Sequence, residues 1–172
     1  MIIPPPIRDL PRYTSWSFPA YRYVPKFFPH PFRSEMGHQH RNNMEQILRS
    51  TSQLETSKLL WQHGCDLFAF RYYWEAHEFW EEVWKEAICP LKKKEVQAAI
   101  KMAASILKRH MNHIDASQKL WNQSFQIIQK SKDPFLLFWQ RKAQKFHVEG
   151  NWEELEIFDI EEYTAIINET KM

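Results

Sequence analysis

Two patterns of apolar and polar residues divide this chain, and they meet after Gly37. Before that point Tyr13, Trp16, Phe18, Tyr21, Tyr23, Phe27, Phe28 and Phe32 are interleaved with prolines at 4, 5, 6, 11, 19, 25, 29 and 31. Proline removes a backbone donor and fixes φ, so no regular helix or central strand is expected there. After Gly37 apolar residues recur at helical spacing and the only prolines are Pro90 and Pro134. Leu60, Gly64, Leu67 and Phe68 predict a helix over 52–70. A second is expected over 73–87, closed by Pro90. A third, over 91–111, carries Val96, Ala99, Ile100, Ala103, Leu107 and His110 along one stripe rich in alanine, which allows close helix approach. A fourth is expected to start behind Asp115 as N-cap and run to about 130, with Leu120, Trp121, Phe125 and Ile128 inward. Asp133 followed by Pro134 reads as an N-cap with proline at the first helical position, opening a helix to about 145. A short acidic helix is expected over 160–169.

The expectation is therefore one all-α domain, a bundle of five or six helices over 42–172, with an extended proline- and aromatic-rich arm over 1–41. Disordered segments are poor in aromatic residues, so the arm is expected to dock its rings, either on its own bundle or on a second copy in a homodimer.

Composition narrows the partners. Lys and Arg total 23 against 21 Asp and Glu, so no global field recruits nucleic acid or an anionic membrane. Charge is uneven, with seven basic and three acidic residues over 1–49 and one basic and eight acidic over 149–172. Lys92-Lys93-Lys94 and Lys108-Arg109 are short runs that solvate helix ends. No apolar run approaches the roughly 20 residues of a membrane span, and Cys65 and Cys89 have neither metal-site nor framework spacing. A cytoplasmic chain with two buried, reduced cysteines is the reading.

The candidate chemistry lies in Tyr73-Trp74-Glu75-Ala76-His77-Glu78-Phe79-Trp80-Glu81-Glu82-Val83-Trp84. At 100° per residue Ala76, Phe79, Trp80, Val83 and Ala87 face the core, and Glu75, Glu78, Glu82 and Lys85 face away. His77 and Glu81 are i,i+4 neighbours on the border, where an imidazole meets a carboxylate half-buried. Glu78 and Glu82 form a second i,i+4 pair, for which Gln97, Lys101 and Lys108 of the next helix are the candidate counter-groups. The arm adds His30, Arg33, His38 and His40 in a rigid irregular stretch. Neutral imidazoles are common metal ligands. If the arm folds over the helix, His30, His38 and His77 are candidate ligands of a divalent metal, Glu78 and Glu81 candidate general bases, and Glu75, Arg33 and Lys108 candidate contacts to a small anionic ligand. The alternative uses the same residues as a structural network in a non-enzymatic module that recruits a protein partner.

Gly64-x-x-Leu67-Phe68, the Tyr73 to Glu78 run and Glu81-x-x-Trp84 resemble the hallmark of the family called domain of unknown function 309, over about 58–130. Lys101 stands where that family often has Gln, and Asn112-His113-Ile114-Asp115 where it has a glycine-containing turn. Tyr21-Arg22-Tyr23-Val24-Pro25, Pro29-His30-Pro31-Phe32-Arg33 and Gly37-His38 are similar to a leader found in part of the family, in which an acidic residue occupies the position of Ser34. The resemblance implies a small helical bundle and no known activity.

Overall fold

The computed structural model describes residues 10–37, 53–149 and 160–171, with side chains at 10–37, 55–142 and 161–168. Its helices are α1 (Gln53–Ala69), α2 (Tyr73–Glu86), α3 (Pro90–His110), α4 (Ile114–Ile128), α5 (Pro134–Glu149) and α6 (Ile160–Lys171). Among the described residues there is no strand, and no helix is long and apolar enough to cross a membrane.

The first four helices form successive antiparallel hairpins, and cross-helix pairs set the register. Trp61 meets Trp80 and Phe68 meets Tyr73 between α1 and α2. Tyr73 meets His110, and Lys93 lies over the ring of Trp84, between α2 and α3. Ser105 donates to the Ser117 carbonyl and Ser124 to the Ala98 carbonyl, both at 2.7 Å, between α3 and α4. These serines face inward with alanines, and their hydroxyls satisfy themselves on backbone carbonyls, so two helices approach closely without stranded polar groups. Gly64 serves the same end. A Cβ at that position would fall onto the indole of Trp80, whose Nε1 donates to the Trp61 carbonyl at 3.2 Å.

Short turns with left-handed residues join the hairpins. Arg71 (φ 70°) ends α1 and Asn112 (φ 61°) ends α3, with the hydrogen bonds Tyr72 N–H to Leu67 O and His113 N–H to Lys108 O closing each turn at 2.8 Å. Asparagine tolerates this conformation, so the turn at Asn112 needs no glycine. The fourth helix is not capped by Asp115, which sits in its first turn; His113 is the residue before it. Asp133 does cap α5, its Oδ1 accepting from the backbone N–H groups of Phe135 and Leu136. Phe135 then packs on Trp61, Phe68 and Trp80. Arg141 pairs with Glu162 to hold α6. Cys65 is buried, but Cys89, in the exposed α2–α3 turn, is not. The expected burial of both cysteines fails there because α2 ends at Glu86 and Cys89 is the residue that precedes α3, in the turn outside both helices.

The arm lies along α1 and α2. Leu10, Tyr23 and Val24 are buried, Phe18 packs on Phe70 and Tyr72, Trp16 on His63, and Tyr13 on Tyr163.

Candidate functional site

Glu75 is the clearest departure from the helical-wheel reading. It was expected to face solvent with Glu78 and Glu82, yet its exposure is 0%. The first turn of α2 is covered by the arm rather than by another helix, a contact that the amphipathic pattern does not encode. There Glu75 Oε1 accepts the backbone N–H of Tyr23 at 2.8 Å. A ligand would reach this carboxylate only with the arm displaced.

His77, Glu78 and Glu81 do come together. Nε2 of the half-buried imidazole is 3.1 Å from Glu81 Oε1, and Nδ1 is 3.5 Å from Glu78 Oε1. The counter-charge for Glu82 is Lys85 of the same helix, at 2.7 Å, rather than a residue of α3. Among the described residues no ion pair joins Lys101 or Lys108 to a carboxylate, and Lys108 sits half-buried in the last turn of α3.

His30 lies in the arm against Tyr23 and Trp74, at ring distances of 5.2 and 5.8 Å, and its Nδ1 accepts the Phe32 N–H. Arg33 is exposed. Its charge reaches the Tyr23 phenol, which burial nonetheless holds above its ordinary value. His38 lies outside the described residues. Among those described, no group of three or more His, Cys, Asp or Glu side chains is arranged to hold a metal ion.

A second polar centre went unread in the sequence. Asp66, fully buried in α1, accepts the backbone N–H groups of Tyr13 and Thr14 at 2.7 and 2.8 Å and the Thr14 hydroxyl at 2.7 Å. With that hydroxyl proton committed to Asp66, the 3.0 Å contact between Thr14 Oγ1 and His63 Nδ1 is a donation from the imidazole. Burial raises the Asp66 carboxyl to about 6, outweighing the three hydrogen bonds that favour its charged form. The signal was present in the sequence: His63 and Asp66 are i,i+3 neighbours inside the apolar face of a helix, and a charge there must find donors.

Fold and site together define an all-α domain in which carboxylates buried on two helices, Asp66 and Glu75, anchor an N-terminal arm by its backbone amides. Residues 61–120 match the model of the family described as Domain of unknown function (DUF309), and the chain is similar to that family over this stretch. No curated protein and no solved structure matches the chain.

Proposed function

We propose that this protein is a non-enzymatic, cytoplasmic interaction module, a helical platform whose arm presents an aromatic turn to a protein partner. The observation that carries the reading is the use of Glu75: the most buried carboxylate of the acidic helix holds the arm backbone and is closed to substrate. Asp66 is occupied in the same way. The arm leaves large apolar side chains outside among the exposed Lys26, Arg33 and Glu35: Phe27 is 55% exposed and Met36 79%, and Phe28 and Phe32 are exposed as well. Aromatic and methionine side chains of this kind are enriched in the cores of protein interfaces. A photo-crosslinking residue at Phe27, with one at exposed Lys119 on α4 as control, tests it in cells. A discrete adduct from position 27 alone is expected, weakened by Phe32→Ser. Equal labelling from both positions counts against a dedicated surface, and an adduct of twice the chain mass makes the partner a second copy.

A second reading rests on the two carboxylates flanking His77. In it His77, His30 and His38 hold a divalent metal, Glu78 or Glu81 activates water, and Arg33 and Lys108 clamp an anionic substrate. Elemental analysis by plasma mass spectrometry, on untagged protein purified without chelator, separates the two. Stoichiometric zinc, iron or manganese lost in His77→Ala and His38→Ala supports the hydrolase, and metal-free folded protein supports the module.

A further inference from the structure

We propose that a cavity between the arm, α1 and the start of α5 binds a small aromatic acid, a single ring carrying a carboxylate. The cavity measures about 190 Å³ and is walled by Tyr13, Trp61 and Phe135, with Lys58, Gln62 and Asp133 also lining it. An apolar cavity of about 150 Å³ accommodates one benzene ring, so this one has room for a ring with a short substituent. Aromatic walls with a few polar groups are the usual make-up of a small-molecule site.

The walls are fixed before any ligand arrives. Tyr13 is tied to α1 through its backbone N–H, which Asp66 accepts at 2.7 Å, and its ring meets Tyr163 edge-on. Trp61 packs on Trp80 and Phe135 at ring distances of 5.5 and 6.2 Å, and Lys92 Nζ lies over it, 4.1 Å from the ring centre. A site already in its bound shape avoids the ordering cost of binding. The polar groups then decide which ring fits. Asp133 is committed: its Oδ1 accepts the Phe135 and Leu136 N–H groups and its Oδ2 pairs with Lys92 at 3.3 Å. Lys58 and Gln62 are i,i+4 neighbours on α1, and neither side chain makes a hydrogen bond or ion pair with another described residue. An ammonium and an amide on one helix flank are donors without a committed acceptor, and a carboxylate supplies one. The ring of such an acid lies among Tyr13, Trp61 and Phe135, where aromatic pairing adds to simple burial.

The cavity shares no residue with the exposed aromatic turn of the arm, so its test is independent of the partner-binding reading. Phenylacetate is titrated into the full chain while the Trp61 indole resonance is followed, beside benzyl alcohol, benzylamine and acetate. Saturable movement is expected with phenylacetate, which should bind at least about threefold more tightly than benzyl alcohol or benzylamine, the range of an exposed ion pair. Acetate, which lacks the ring, should leave the resonance unmoved. Lys58 is exposed on its helix, so Lys58→Glu keeps the fold. This reversal of charge is expected to weaken phenylacetate binding by about fivefold and to strengthen that of benzylamine. No saturable movement with phenylacetate, an equal response to acetate, benzyl alcohol or benzylamine binding as tightly, or parental phenylacetate affinity in Lys58→Glu would each overturn the assignment.

Discussion

The buried carboxylate of Glu75 accepts the backbone N–H of Tyr23 at 2.8 Å, across 52 residues of sequence. This bond ties the arm to the first turn of α2. Glu75→Ala leaves the Tyr23 amide unsatisfied and is expected to cost about 1–3 kcal/mol in urea unfolding. Glu75→Gln, which retains an acceptor, should cost less. Hydrogen exchange at Tyr23 is the direct readout, and unchanged protection in Glu75→Ala would show that the arm is held by something else.

His77 occupies a different setting. Its ion pairs with Glu78 and Glu81 are half-exposed, and pairs in that setting contribute about 0–1 kcal/mol. His77→Ala should therefore unfold within about 1 kcal/mol of the parent. A loss comparable to that of Glu75→Ala would make His77 part of the structural clamp.

Gly64→Ala sets two effects against each other. Alanine gains up to about 1 kcal/mol of helix propensity, but its methyl group meets the indole of Trp80, and overpacking of a core costs about 1–3 kcal/mol. Net destabilisation with altered tryptophan fluorescence is expected. A variant more stable than the parent would mean that α1 and α2 can separate slightly without loss.

Asp66 and His110 impose opposite pH dependences on stability in nearly the same range. Asp66 is raised from 3.8 to about 6 on folding, so its contribution is fully present below 3.8 and is lost as pH rises through about 6. His110 is lowered from 6.5 to about 4, so its contribution is present above 6.5 and is lost as pH falls toward 4. The two offset between about 4 and 6 in the parent. Urea unfolding across this range should show His110→Gln gaining stability on acidification relative to the parent, and Asp66→Asn losing it more steeply. Identical pH slopes in all three proteins would refute both assignments.

The two thiols should separate by reactivity. Cys89 is exposed, whereas Cys65 is buried and its thiol is pushed well up by burial, which keeps the nucleophilic thiolate scarce. With a chromogenic disulfide reagent one thiol per native chain should react quickly, the other only after unfolding. Cys89→Ser should remove the fast phase, and its persistence would place Cys65 within reach of solvent.

The amino-acid sequence by itself determined the helices. Apolar spacing in α1 to α4, Pro90 as a boundary between helices, Pro134 at a helix start, and Asp133 as a cap are local relationships, acting within a turn or two of backbone, and they located the six helices of the described residues to within a few residues of those observed. It also marked Ala76, Phe79, Trp80 and Val83 as core, because a helical wheel needs no knowledge of what covers it. Tertiary structure alone decided the roles of the polar residues. Glu75 reads as a solvent-facing residue until the arm lies over it, and Asp66 as an anomaly until Tyr13 and Thr14 bring their amides to it. The arm lacks a repeating period, and the partners of a buried charge depend on the path of a distant segment, which only the folded chain specifies.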